Sequence, residues 1–191
     1  GNQTGVLLTH YILSSLKELN ELKDNSVVIK TIVTSEMARK VCEDFNVEIM
    51  DVLTGFKYIG EKIGQFEKDG SHTYVFGFEE SYGCLIKDFV RDKDAIQAIL
   101  MICEIEAWCE TKGMDLIDYL DSIYQREGYF YESQENVYHK GLEGKAKIAR
   151  IMETFRSGEI NLEFGEIIKK EDNLLKIAYT YEENKVLTST I

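Results

Sequence analysis

The residues of this 191-residue chain best suited to chemistry lie in Phe76-Gly77-Phe78-Glu79-Glu80-Ser81-Tyr82-Gly83. Two carboxylates and a hydroxyl sit on a glycine-bounded loop that is too polar for a core and joins two β-rich runs. An ionised carboxylate only accepts hydrogen bonds, so it can bridge two neighbouring hydroxyls, and a serine hydroxyl can donate or accept. That combination suits a polyol, and the loop is predicted to hold a sugar. The competing reading of a Glu-Glu pair in an acidic chain is a solvated turn. The neighbouring elements decide between the two.

Those elements alternate. Leu8, Tyr11, Ile12, Ser15, Leu16 and Leu19 fall at helical spacing and predict an amphipathic helix over about residues 5 to 20, with Asn2, Gln3 and Thr4 read as its caps in preference to ligand contacts. Ser26 to Val33 is a β-branched run that suits a strand buried on both faces. Thr34 or Ser35 then caps a helix carrying Met37, Ala38, Val41, Cys42 and Phe45 inward, ended by Asn46. A second strand is expected over Val47 to Val52. The Leu53-Thr54-Gly55-Phe56-Lys57 turn leads into a helix with Ile59, Ile63 and Phe66, stopped at Asp69-Gly70, and Thr73 to Phe76 is the third strand.

Strands alternating with helices imply right-handed crossovers and a parallel sheet. In such sheets ligands bind outside the carboxyl ends of the strands, which is where Thr54 to Lys57 and Glu79 to Ser81 are brought together. Cys84 to Val90 is expected as a fourth strand, returning antiparallel after the short loop. Asp92 is expected to cap a long apolar helix from Ala95 to Cys109, with Asp94 in its first turn, in preference to a magnesium reading of the Arg91-Asp92-Lys93-Asp94 run. Gly113 breaks that helix, and a shorter one resumes around Leu116 to Tyr124. From Glu127 the texture changes: extended segments at 128–131 and 136–139, a helix over about Leu142 to Phe155, and strands in 160–168, 174–181 and 185–191. The predicted fold is α/β: a three-layer α/β/α domain with a four-stranded mixed sheet over residues 1–125, followed by a partial α+β segment over 126–191.

Bulk properties exclude several classes. With 44% apolar and 29% charged residues the chain is globular, and no run approaches the roughly 18 apolar residues of a membrane span. A formal charge of −12 argues against nucleic acid, so an anionic ligand must be met by local lysines or backbone amides. No leader indicates secretion, and Cys42, Cys84, Cys103 and Cys109 lack CxxC spacing, which predicts reduced thiols in a cytoplasm and neither disulfide nor zinc. The chain has no proline where average usage predicts roughly nine or ten, so its turns rely on Gly, Asn and Asp. The abrupt polar opening, Gly1-Asn2-Gln3-Thr4-Gly5, predicts a piece of something larger.

Four motifs in order carry a family resemblance: Gly1 to Gly5, Leu53-Thr54-Gly55-Phe56-Lys57-Tyr58-Ile59-Gly60-Glu61-Lys62-Ile63, Phe76 to Gly83, and Asp88-Phe89-Val90-Arg91-Asp92-Lys93-Asp94-Ala95. Together they resemble the α-D-phosphohexomutases, closest to the bacterial phosphoglucomutase and phosphomannomutase branch that also includes phosphopentomutase-like enzymes. The resemblance covers residues 1 to about 125 well and the rest more weakly. It implies the third of four domains plus the beginning of the fourth. The first glutamate and the serine of a Gly-Glu-Glu-Ser loop would hold sugar hydroxyls, which places those roles on Glu79 and Ser81, with Glu80 pointing elsewhere.

Thr54, Gly55, Phe56 and Lys57 match the family's second substrate-facing loop, where a histidine or tryptophan often stands at the Phe56 position. Lys57 becomes the local partner for a phosphosugar. Phe78 replaces the loop's usual glycine. One branch has a substrate-contacting lysine where this chain has Ile32, and Lys30, two residues earlier on the same strand face, is kept as a candidate.

The resemblance implies a cytoplasmic isomerase of carbohydrate metabolism, an intramolecular phosphotransferase that interconverts sugar 1-phosphate and 6-phosphate through a phosphoserine and a bisphosphate intermediate. It would use Mg2+ and a sugar bisphosphate activator. The phosphoserine, Asp-x-Asp-x-Asp-Arg magnesium and Arg-Pro-Ser-Gly-Thr phosphate motifs are not in this sequence. No catalytic or metal-ligating residue is therefore assigned here, the piece alone is expected to be inactive and to bind neither cofactor, and its partners are the phosphosugar and sister domains. The alternatives are a stand-alone sugar-phosphate binding module, a phosphopentomutase fragment, and a loop that serves only as an interdomain contact.

Overall fold

The computed structural model describes residues 1–132 and 138–157 in full, and the backbone of 169–172, 177–182 and 185–190. The chain divides into two compact units, Gly1–Glu132 and Ser133–Ile191. The first contains α1 (Asn2–Glu18), β1 (Ser26–Thr31), α2 (Met37–Asp44), β2 (Glu48–Val52), α3 (Phe56–Asp69), β3 (Thr73–Phe78), β4 (Cys84–Leu85), α4 (Ala95–Lys112) and α5 (Leu116–Glu127). The sheet runs β2-β1-β3-β4, with β1 parallel to β2 and β3 and with β4 antiparallel to β3. This is the mixed four-stranded α/β/α arrangement that the pattern of elements predicts.

Every residue of β1 is buried, as its uninterrupted β-branched run requires of a strand covered on both faces. Val28 packs into a cluster supplied by α1, α2, α4 and α5, whereas Val27 and Ile29 face Phe56, Ile59, Ile63 and Phe66 of α3. Alternation along one strand thus sorts helices onto two sides.

Strand β3 breaks its own alternation. Val27 pairs with Tyr74 but Val28 pairs with Phe76, leaving Val75 as an extra residue. Tyr74 packs with the α3 cluster, and both Val75 and Phe76 belong to the opposite one. A bulge reverses the facing of everything beyond it. Consequently Phe76 and Phe78 stack on the α1 side at 5.2 Å between ring centres, and Gly77 and Glu79 turn towards α3. A Cβ on Gly77 would lie 2.8 Å from Ile59 Cγ2, so glycine lets α3 close on the sheet there.

Four boundary expectations are corrected. Gly1, not Asn2 to Thr4, is the N-cap of α1, and no side chain bonds its first turn; Asn2 Oδ1 instead accepts from the Ser35 backbone N–H at 3.2 Å. Glu36 is the N-cap position of α2, although Ser35 Oγ does accept from Met37 N at 3.1 Å. The fourth strand is two residues long, because the Ile86 and Lys87 amides donate to Gln97 Oε1, at 3.1 and 2.6 Å, and residues 87–93 run exposed. Asp94, not Asp92, caps α4, accepting from Ile96 N at 2.9 Å and Gln97 N at 3.3 Å. Asn46 ends α2 as expected, with φ 54.

His10, buried in α1, lies 2.5 Å through Nδ1 from the Tyr119 hydroxyl of α5, and its Nε2 has no partner among the described residues. Desolvation, with the positive charge of Arg126 second and Asp44 opposing, lowers its pKa from 6.5 to about 4. The folded state therefore holds His10 neutral where the unfolded chain takes up a proton. Its contribution should be constant above pH 6.5, fall as pH drops towards 4 with a slope of at most about 1.4 kcal/mol per unit, and level off below. The measurement is the urea midpoint against pH for the natural chain relative to His10→Gln, which removes this term and leaves the carboxylates in place.

In the second unit, α6 (Gly141–Ser157) precedes an antiparallel sheet β5-β6-β7 formed by Lys169–Asp172, Ile177–Glu182 and Lys185–Thr190. The last two strands overlap the expected ones. The expected strand at 160–168, and residues 136–137 of the expected extended segment, lie outside the described residues. Strand β5, Lys-Lys-Glu-Asp, offers no apolar alternation by which it could be found.

Candidate functional site at the carboxyl edge of the sheet

Strands β1, β2 and β3 end level with one another, since Lys30 pairs with both Asp51 and Phe78. The loop after β2 and the hairpin between β3 and β4 therefore open side by side. The hairpin loop, residues 79–83, is closed by the Glu79 N–H donating to the Gly83 carbonyl at 2.8 Å. The bulge having turned Glu79 towards α3, its Oε1 accepts from the Gly55 N–H at 3.0 Å, immediately before the first turn of that helix. This is where a negative charge is favoured by unpaired amides and the helix dipole. Gly55 has φ 118 and ψ 123, a backbone that other residues avoid, so its glycine is needed to aim that amide.

Glu79 is thus 7% exposed yet sits at the rim. Its Oε2 lies under Gly83, where a Cβ would come within 2.9 Å of it and within 2.9 Å of Lys93 Cδ. Ser81 is exposed beside it. Glu80 turns away, as alternation implies, and accepts from Thr31 Oγ1 at the end of β1 at 3.1 Å. Phe78 fills the space above Gly5 of α1, where a Cβ would lie 2.2 Å from its ring, so the aromatic at the usual glycine position is absorbed by the core.

The structure brings Glu79, Ser81, Thr54, Gly55 and Lys57 to one edge, with Thr54 and Lys57 exposed. The Lys57 ammonium lies 4.8 Å from the centre of the Tyr58 ring. Two candidates are corrected. Phe56 is 3% exposed and packs with Ile59, Ile63 and Leu85, because the first residue of α3 faces the sheet; its ring belongs to the core. Lys30 is wholly buried, with its ammonium 2.8 Å from Glu36, 2.9 Å from Asp51 and donating to the Thr34 carbonyl at 3.2 Å. It is a structural cation rather than a handle for substrate.

Sequence reasoning passed over Lys93. Set in an Arg-Asp-Lys-Asp run it reads as part of a helix cap, but its stem passes beside the Glu79 carboxylate and its ammonium lies 5.7 Å from the Phe56 ring centre and 3.3 Å from Asp92 Oδ1. Only the fold supplies this placement, since Lys93 lies 14 positions beyond Glu79. Cys84, at the foot of the loop, is no nucleophile: burial, with Asp94 adding to it, pushes its thiol up to about 11. Among the described residues no three His, Cys, Asp or Glu side chains are grouped to hold a metal ion, so the implied magnesium has no ligand set in them. The edge can accept hydrogen bonds from hydroxyls and attract an anion.

A concavity of about 60 Å3 beside the loop is lined by Glu79, Tyr82, Gly83, Gly5 and Leu8, among others. A larger one of about 220 Å3 lies at the opposite end of the strands, around Ser26 and Thr73. Volume therefore does not single out the site; the convergence of polar groups does.

Residues 1–126 match the family described as phosphoglucomutase/phosphomannomutase, alpha/beta/alpha domain III. The chain is 37% identical over 191 residues to a phosphoglucomutase of Staphylococcus aureus (strain bovine RF122 / ET3-1), covering 100% of this chain and 33% of that protein. It is 40% identical over 157 residues to the phosphoglucomutase of strain MSSA476, covering 82% of this chain and 27% of the relative. Among solved structures, the Paramecium exocytosis-sensitive phosphoprotein pp63/parafusin, a phosphoglucomutase in its open form, superimposes with a TM-score of 0.60 at 18% identity over 99% of this chain and 30% of that one. The chain thus spans about a third of the length of the curated relatives it matches. The extent of the family match shows that this chain belongs to the phosphoglucomutase/phosphomannomutase family and carries its α/β/α domain III.

Proposed function

We propose that the Glu79–Gly83 loop is the sugar-recognition element of a phosphoglucomutase or phosphomannomutase, the intramolecular phosphotransferase that interconverts sugar 1-phosphate and 6-phosphate through a phosphoserine and a bisphosphate intermediate. The observation that carries this reading is the Glu79 carboxylate: it is nearly buried and fixed through one oxygen by the Gly55 amide, and its other oxygen lies under Gly83, in the loop that carries exposed Ser81. A carboxylate held in this way is preorganised to accept from sugar hydroxyls. A mutase must hold the same sugar in two orientations, one with each end towards the phosphoryl donor. Hydroxyl recognition by a carboxylate and a serine suits that need, because it does not depend on which end carries phosphate. Lys57 and Lys93 supply local positive charge against a chain of net charge −12.

No residue of the first unit takes the roles of phosphoryl acceptor or donor in this proposal. Those roles, the Mg2+ and the bisphosphate activator belong to the intact enzyme, whose remaining domains are the partners of this one. Four unpaired cysteines accord with a reducing, cytoplasmic location. The test is a transplant. Residues 1–191, substituted for the matching third of the S. aureus phosphoglucomutase, should sustain conversion of glucose 1-phosphate to glucose 6-phosphate. If a folded chimaera turned over no faster than its Glu79→Gln/Ser81→Ala version, the assignment would be wrong.

A further inference from the structure

Three non-glycine residues among those described have a left-handed backbone: Asn20, Asn46 and Tyr82. The asparagines sit just beyond helix ends, where that residue tolerates the conformation. Tyr82, with φ 68, has no such licence, and a bulky residue there is a true outlier. A strained residue persists where its surroundings impose it or where it serves a function. Side-chain packing supplies no reason here: the side chain is 80% exposed. A glycine would relieve the strain, yet the neighbouring glycine is used at position 83, where a Cβ would strike Glu79 and Lys93.

Tyr82 stands between Ser81 and Gly83, and both it and Glu79 are among the residues that line one small concavity. A pyranose offers hydroxyls around its rim and an apolar C–H face, and an aromatic ring is the side chain that covers such a face while tolerating water at its edge. We propose that Tyr82 is a specificity-determining residue whose ring stacks on the C–H face of the bound sugar, so that the loop prefers a closed hexose phosphate to an acyclic polyol phosphate. This rests on the sugar-site reading above and adds to it the ring form of the ligand.

Saturation-transfer NMR on the 191-residue chain tests it, with glucose 1-phosphate, sorbitol 6-phosphate and inorganic phosphate as probes. Transfer to the sugar C–H protons is expected for glucose 1-phosphate, with weaker binding of sorbitol 6-phosphate. Tyr82→Ala should weaken glucose 1-phosphate about five- to tenfold and leave sorbitol 6-phosphate within about twofold, whereas Tyr82→Phe should retain the natural affinity for both. Tyr82→Gly, which relieves the backbone strain and so keeps the fold, should bind as poorly as Tyr82→Ala while unfolding at a higher temperature. Unchanged glucose 1-phosphate affinity in Tyr82→Ala and Tyr82→Gly overturns the proposal, as does an equal loss in Tyr82→Phe, which would assign the effect to the hydroxyl. If the natural chain gives no transfer to glucose 1-phosphate, or none beyond what inorganic phosphate displaces, the sugar-site reading fails and this inference fails with it.

Discussion

Glu79→Gln should weaken glucose 1-phosphate binding by at least about tenfold while changing stability by less than about 1 kcal/mol. The glutamine carbonyl can keep the bond from the Gly55 amide, so the loop stays anchored. What changes is the second oxygen, which becomes an N–H2 donor in place of an acceptor, and hydrogen bonds that hydroxyls donate to a charged carboxylate are worth about 1.5–3 kcal/mol each. Glu79→Ala should lose the anchor as well, adding an unpaired Gly55 amide worth about 1–3 kcal/mol of stability. Calorimetric titration and urea unfolding separate the two variants. If Gln lowered stability as much as Ala, Glu79 would be a loop brace and nothing more.

Neutralising both partners of Lys30 should have the largest effect on stability. The lysine is wholly buried, and its ammonium is matched by Glu36, Asp51 and one carbonyl. Burial pushes the Glu36 carboxyl up, but hydrogen bonds and charge from Lys30 and Arg39 outweigh that and hold it below the usual carboxylate range. Arg39 completes the cluster through ion pairs to Glu36, at 2.8 Å, and to Asp51. In Glu36→Gln/Asp51→Asn the ammonium stays in place without a counter-charge, which should cost about 3–5 kcal/mol. Lys30→Met removes the buried charge and leaves two carboxylates that are 55% and 35% exposed and can rehydrate beside Arg39, so its cost should stay below about 2 kcal/mol. Trp108 fluorescence follows the unfolding, since that indole packs within 5.6 Å of Tyr11 and 5.1 Å of Tyr119 in the same unit. A costlier Lys30→Met than double neutralisation would mean that the lysine stem, not its charge, is what the fold uses.

The same cluster illustrates what the sequence reveals. The run Val27-Val28-Ile29 announces a two-faced strand, and its burial follows from side-chain chemistry alone. The lysine that follows is a candidate substrate handle because one branch of the family resembled has a substrate-contacting lysine at the Ile32 position, two residues on along the same strand face. That its partners are Glu36 and Asp51 depends on β1 and β2 pairing in one register, which no local pattern states. Phe56 misleads in the same manner: it matches a substrate-facing loop position where a histidine or tryptophan often stands, but it is the first inward position of α3.

The placement of the two loops at one edge was legible, since it needs only parallel strands with helical crossovers. The bulge at Val75 was not, because Tyr-Val-Phe reads as apolar in either register, and yet it turns Glu79 towards α3. Ile86 and Val90 extended the apparent fourth strand, since their apolar character does not disclose that Gln97 takes the Ile86 and Lys87 amides. Lys93 was hidden for a related reason. Cap chemistry explains Asp94 fully, and nothing in the run reveals that the stem of its neighbour returns to Glu79.

The central claim, that the edge formed by Gly55 and residues 79–83 receives the sugar, is tested most directly by an amide-resolved NMR titration of the chain with glucose 1-phosphate. Two charge-assisted contacts, less the freedom lost on binding, correspond to millimolar affinity or weaker. Saturable shifts should therefore appear at millimolar ligand on the amides of Gly55, Glu79, Ser81 and Gly83, and should vanish in Glu79→Gln. Shifts confined to the far cleft around Ser26 and Thr73, or unchanged shifts at the loop in Glu79→Gln, would contradict it.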